Sequence, residues 1–239
     1  MGAIAENVRR VREAMAEAAV QVGRNPDSVF LVAASKTKDS EAVREAVQAG
    51  VDACGENRVS ELTVKNAQGA YTGAPKHFIG HLQTNKVNAV VGVADLIQSV
   101  TSEELLRRIE ARAERLQIVQ PILIQVNIGR EETKGGFLPE AAEEAAALAA
   151  SLPHVRIDGL MAIPPAWETE YPRWPGAKKY PYFDEMYRLY IDIQSKKYDN
   201  SRNWRLSMGM SGDFTEAIKA GADMVRVGSA IFGKRESRL

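Results

Sequence analysis

The sequence has only one cysteine in 239 residues, Cys54, so no disulfide can form within the chain. That usage points to a reducing compartment, and cytoplasm is the expected location. Surplus charge is also lacking: 31 basic residues face 31 acidic ones. Such a balance gives no general pull towards nucleic acid or an anionic membrane, so neither is expected as a partner. No uncharged apolar run approaches the roughly 20 residues that would span a bilayer. The opening MGAIAENVRRVREAM has no apolar stretch of a secretory leader, and none is expected. Three histidines, one cysteine and the carboxylates show no metal-ligand spacing, so no metal is expected. No nucleophile elbow or Ser/His/Asp arrangement is visible either.

What is present is an ordinary globular composition, 45% hydrophobic and 26% charged, which allows a sizeable core. The length suits one large domain over 1–239 better than two. Ile4, Val8, Val11, Met15, Ala18 and Val22 recur at helical spacing, with Gly23 as the stop. Short apolar runs then alternate with helical patterns to the end. The expected strands are 29–34, 51–54, 77–80, 95–99, 121–127, 157–161, 205–208 and 224–227; helical stretches include 40–49, 102–116 and 139–150. Eight strands separated by helices argue for an α/β fold, a single-domain (β/α)₈ TIM barrel with an extra N-terminal helix. An open doubly wound sheet is the alternative. Residues 164–181 hold five prolines and must form a loop, either a surface excursion or a lid.

Lys36 follows the apolar run VFLVAAS and falls at the C-terminal end of the first strand, where barrel active sites are built. Burial there disfavours the ammonium and frees the amine to form an imine; a phosphate-binding or ion-paired lysine is the other reading. SMGMSGD and RVGSAIFG close the last two strands. Each offers small residues with backbone N–H groups at a helix start, and Ser211, Gly212, Gly228 and Ser229 are candidates for holding a phosphate. Arg226 lies between Val225 and Val227, so it faces the barrel interior if the valines face the outer helices. A buried guanidinium needs an acceptor, either an acidic side chain or a ligand atom. Of the three histidines, His81 alone falls at a strand's C-terminal end; His77 begins that strand at the far end of the barrel, and His154 precedes the sixth.

The motifs SKTK (35–38), GENRVSE (55–61), HFIGHLQTNK (77–86), KGGF (134–137), GLMAIP (159–164), SMGMSGDFTEAI (207–218) and RVGSAIFG (226–233) run in order along nearly the whole chain. Together they resemble the pyridoxal phosphate homeostasis proteins, single-domain relatives of the alanine racemase N-terminal barrel. The resemblance implies pyridoxal 5′-phosphate as cofactor, held as a Schiff base on Lys36. It further implies that Ser211, Gly212, Gly228 and Ser229 hold the phosphate and that Arg226 faces the pyridine nitrogen. Asn57, His81, Met161 and Ser207 would line the cofactor. The implied role is buffering the cofactor or delivering it to apo-enzymes. Arg226 supports that role on chemical grounds, because an always-charged donor keeps the ring nitrogen unprotonated and weakens the electron sink that carbanion chemistry needs. A weak amino-acid racemase is the alternative. It would need an acid on the opposite face, from Tyr171 or Tyr180 of the loop, since no second β domain is expected. A monomer is expected for the same reason.

Overall fold

The alternation of apolar runs and helices produces eight parallel strands that close on themselves in chain order, so the open-sheet alternative does not apply. The computed structural model describes residues 2–165, 181–201 and 203–233. Its strands are β1 (Phe30–Ala34), β2 (Ala53–Glu56), β3 (Lys76–Phe78), β4 (Leu96–Val100), β5 (Gln120–Val126), β6 (Val155–Ala162), β7 (Arg205–Ser207) and β8 (Met224–Val227). Closure comes from β1 against β8, where Phe30 lies beside Met224 and Val32 beside Arg226. The helices are α1 (Ala3–Val20), α2 (Ser40–Gln48), α3 (Val59–Ala67), α4 (Glu103–Leu116), α5 (Ala142–Ser151), α6 (Pro181–Gln194), α7 (Phe214–Lys219) and α8 (Ser229–Phe232). Helix α1 packs against α2, α7 and α8 and so covers the β1–β8 seam. It buries Val8, Val11, Met15 and Ala18 as the spacing requires. Val22 falls beyond its end and is largely exposed, which corrects the expected core stripe. The proline-rich 164–181 loop lies mostly outside the described residues, including Trp167, Tyr171 and Tyr180.

Period-two alternation divides the core. Val225 and Val227 join the shell between strands and helices, while Val32, Ala53, Leu96, Leu123, Met161 and Met224 form a separate cluster on the barrel axis. Only β8 has both expected limits; four strands are off by one residue at one or both ends, and β2, β3 and β6 by up to two. Strand β2 begins at Ala53 because the preceding residues are used in the turn: Val51 N–H donates to Ala46, and Asp52 pairs with Leu31. Strand β3 stops at Phe78, and Gly80 beyond it passes so close to Asn57 that a Cβ there would collide with its carbonyl oxygen.

Three aspartates at the N-terminal rim repeat one device. Each immediately precedes an even-numbered strand and accepts a backbone N–H from the odd-numbered neighbour. Asp52 takes Leu31 N–H at 2.6 Å, Asp95 takes Lys76 N–H at 2.7 Å, and Asp223 takes Leu206 N–H at 3.0 Å. Ala49-Gly50-Val51-Asp52 and Ala220-Gly221-Ala222-Asp223 are alike in sequence for a physical reason. The glycines, at φ +87° and +107°, end helices. The aspartates satisfy strand N–H groups that begin without a partner strand.

The same end of the axis is plugged by an aromatic stack. Phe30 and His77 lie nearly parallel with centroids 5.8 Å apart, and the Arg205 guanidinium sits 4.7 Å from the Phe30 centroid. His77 also accepts from Gln98 Nε2 through Nδ1 at 2.9 Å, which makes it the neutral Nε2–H tautomer. Burial drives its pKa down to about 4, with the charge of Asp95 opposing and that of Arg205 assisting. In the unfolded chain the imidazole titrates near 6.5. Between those values the unfolded state binds a proton that the native state does not, so stability present above about pH 6.5 is lost as the pH falls towards 4. The loss from pH 7 to pH 4 should be steeper in the wild type than in His77→Gln, by a few kcal/mol. Urea unfolding at pH 7, 5.5 and 4 measures it, and parallel curves would show that His77 carries no such burden.

Candidate functional site

The C-terminal ends of β1, β2, β7 and β8 surround a cavity of about 570 Å³ whose wall includes Lys36, Asn57, Ser211, Gly212, Arg226, Gly228 and Ser229. Seven of the ten site residues read from the sequence thus meet at one place. The other three lie elsewhere. Met161 is in the axial cluster beneath the cavity. Ser207 is fully buried, under Arg226. His81 is exposed and lines an adjoining cavity of about 240 Å³, which shares Asn57, Ile79 and Ile163 with the first. Lys134 of the KGGF motif lies in that second wall, ion-paired with Glu131.

Lys36 sits on a segment fixed from both sides. Before it, Ser35 N–H donates to Gly55 O at 2.9 Å. Ser35 O accepts from Lys65 Nζ at 2.9 Å, and Ser35 Oγ donates to Glu56 Oε1 at 2.6 Å. After it, Thr37 turns into the left-handed region at φ +66°, and its N–H donates to Glu61 Oε2 at 2.8 Å. These contacts converge on a buried ion pair between Lys65 and Glu56 at 2.7 Å, joined by the Tyr71 hydroxyl at 3.1 Å. Burial pushes the Glu56 carboxyl above its ordinary range, while the bonds from Lys65 and Ser35 pull it down. As a cofactor motif alone, GENRVSE does not disclose this second role. A glutamate in an otherwise apolar strand end, with a lysine nine residues on, is the available signal. Lys38 also lines the cavity, where its Nζ donates to Phe232 O at 2.9 Å.

The loops after β7 and β8 are tied together. Ser211 Oγ accepts backbone N–H groups of Gly228 at 3.0 Å and Ala230 at 3.3 Å, so the two small-residue turns face each other across a few ångströms. Gly228 also runs close to β1, where a Cβ would lie 3.2 Å from Ala34 O. Arg226 enters the cavity floor from β8. It is 4% exposed and donates to Ser207 Oγ at 2.7 Å and to Ala162 O at 2.8 Å. Burial lowers its pKa to about 10, with Asp213 opposing, which still leaves it charged at neutral pH. Neither of its two bonded partners is an acid, so the acidic-partner reading does not describe these contacts.

A lysine, a buried arginine and two facing Gly-Ser turns thus meet at the mouth of a parallel eight-stranded barrel, the fold class of the alanine racemase N-terminal domain. The sequence profile described as "Alanine racemase, N-terminal domain" matches residues 1–236. A protein of Aquifex aeolicus named "Pyridoxal phosphate homeostasis protein" is 41% identical over 97% of this chain and 98% of its own. The chain belongs to the alanine racemase N-terminal domain family and, within it, to the pyridoxal phosphate homeostasis proteins. PipY of Synechococcus elongatus, solved with pyridoxal phosphate bound, superposes with a TM-score of 0.77 at 31% identity, over 96% of this chain and 100% of that one. Alanine racemase from Streptomyces coelicolor shares the fold at 18% identity and a TM-score of 0.73; this chain spans 58% of its length.

The Glu56–Lys65 pair makes a direct prediction. Lys65→Met leaves Glu56 buried without its counter-charge and should cost about 3–5 kcal/mol of stability. Converting both partners, as Glu56→Gln with Lys65→Met, should recover much of that loss. Denaturant unfolding of the two variants decides it, and equal losses would show that charge pairing is not what the cluster supplies.

Proposed function

We propose that this chain, acting as one barrel domain over residues 1–239, binds pyridoxal 5′-phosphate and serves as a carrier of it in the cytoplasm. The observation that carries the reading is the convergence of Lys36, Arg226 and the two Gly-Ser turns on one cavity. The residues fit the group. The cavity has the volume typical of small-molecule sites (about 300–1,000 Å³). Its wall contains Asn57, whose Oδ1 is buried with no hydrogen-bond partner among the described residues, so a donor is wanted there. Its floor is a charged donor, Arg226, and its rim is two adjoining turns rich in backbone N–H groups, suited to an anion.

In this reading Lys36 would hold the cofactor, its amine being the group that would form a Schiff base with the aldehyde, with loss of water. Ser211, Gly212, Gly228 and Ser229 hold the phosphate, and Asn57 faces the ring. Arg226 donates to the pyridine nitrogen and keeps it unprotonated. The bound group supplies an electron sink, and Arg226 weakens it, which suits storage and delivery to apo-enzymes, with the chain acting as a monomer. Met161 and Ser207 act from beneath the cavity, and His81 acts from its edge.

Borohydride reduction followed by peptide mapping tests the site. The protein incubated with pyridoxal phosphate should carry one adduct, on Lys36, and Lys36→Ala should abolish it. An adduct on Lys38 or Lys134 in its place would overturn the assignment. Function is tested by mixing the loaded protein with an apo-enzyme that needs the cofactor. Activity should appear in the recipient, whereas alanine racemisation by the carrier itself should stay well below about 1 s⁻¹, the low end of ordinary turnover. Racemisation above that rate would replace the carrier reading with the racemase one.

A further inference from the structure

Beneath the cavity, four buried polar side chains from four strands form a single file along the barrel axis. Arg226 Nη1 donates to Ser207 Oγ at 2.7 Å, Ser207 Oγ donates to Gln98 Oε1 at 2.7 Å, and Gln98 Nε2 donates to His77 Nδ1 at 2.9 Å. Gln98 Nε2 also lies 3.1 Å from Met224 Sδ, which occupies its second proton. Every orientation in this file is forced. A guanidinium only donates, so Ser207 must accept from it and has its own proton to pass on. Gln98 must then present its oxygen upward and its amide protons downward. His77 can accept only in the neutral form, which its burial maintains, with the charge of Arg205 assisting and that of Asp95 opposing.

We propose that Ser207 and Gln98, anchored by His77, are positioning residues that set the aim of Arg226 at the cavity floor. The proposal rests on the reading that Arg226 meets the pyridine nitrogen, and it goes beyond that reading by naming what holds the guanidinium. Sideways movement is blocked by the second bond, from Nη2 to Ala162 O on β6. Rotation about the guanidinium is controlled by Ser207, whose hydroxyl can face only one way because Gln98 is itself fixed from below. Removing a link anywhere in the file leaves Arg226 charged and buried but able to turn. The ring nitrogen then loses a constant donor and becomes easier to protonate.

The test reads that nitrogen directly. Cofactor labelled with ¹⁵N in the pyridine ring is bound to the wild type, Ser207→Ala, Ser207→Thr, Gln98→Met and Arg226→Gln, and its nitrogen resonance is followed against pH. Loading is confirmed by mass after borohydride. In Ser207→Ala and Gln98→Met the protonation midpoint should rise by about one pH unit, the scale of one hydrogen bond to a charged group. Arg226→Gln should raise it at least as far, and Ser207→Thr, which keeps a hydroxyl, should restore the wild-type curve. A general loss of packing would lower thermal stability in all variants without this pattern of rescue. If Gln98→Met fails to fold, Ser207→Ala against Ser207→Thr still decides the matter. A raised midpoint in Arg226→Gln but not in Ser207→Ala or Gln98→Met overturns the positioning role and leaves the cofactor reading intact. No adduct on the wild type, or an unchanged midpoint in Arg226→Gln, overturns the underlying reading and the proposal with it.

Discussion

Arg226 places a full positive charge inside a closed barrel, where removing an ion from water costs several kcal/mol unless acceptors meet it. Two neutral acceptors do so, Ser207 Oγ and Ala162 O, and no carboxylate shares those bonds. At its two bonds the charge is therefore met by dipoles, and the carboxylate of Asp213 acts on it from outside those bonds. A cancelled charge would have its donors committed to a carboxylate. A charge held by dipoles keeps its field and can act on whatever enters the cavity. The polar side chains below it follow from that choice: Ser207 needs an acceptor, Gln98 supplies it, and the amide protons of Gln98 need His77.

The second buried charge, Glu56 with Lys65, is handled in the opposite way. Its partners are an ammonium and two hydroxyls, and the pair lies outside the cavity, between β1, β2 and α3. Here charge is neutralised locally, and the gain is geometric: the pair holds Ser35 directly, and Glu61, 3.6 Å from the Lys65 ammonium, holds Thr37. One barrel end thus uses two solutions. An ion pair fixes backbone where no field is wanted, and dipoles hold a cation where one is.

Much of this is legible in the amino-acid order. The alternation of apolar runs and helical stripes yields eight strands, since period two and period 3.6 report directly which faces are buried. Lys36, the two Gly-Ser turns and Arg226 are legible as well, because each sits at a strand end and the barrel gathers strand ends of one direction at one rim. Strand limits are less so. The pattern of apolar residues places Glu56 outside β2 and Gly80 inside β3, because strand limits follow pairing between distant residues, as of Glu56 with Phe78, 22 positions apart.

The sequence by itself determined the barrel, the family and the group of residues at the mouth, since these depend on local periodicity and on motifs that each lie within a dozen residues. Only the tertiary structure decided which polar residues face the cavity and which lie beneath it. Ser207 and Met161 share motifs with residues of the rim, yet both lie within strands, β7 and β6, and are fully buried below it. Gln98 and His77 carry no motif for this role at all. Their part depends on meeting Ser207 and Arg226 from strands up to 149 positions distant in the chain, and hydrogen bonding across a barrel axis is fixed by closure and register, which no single segment encodes.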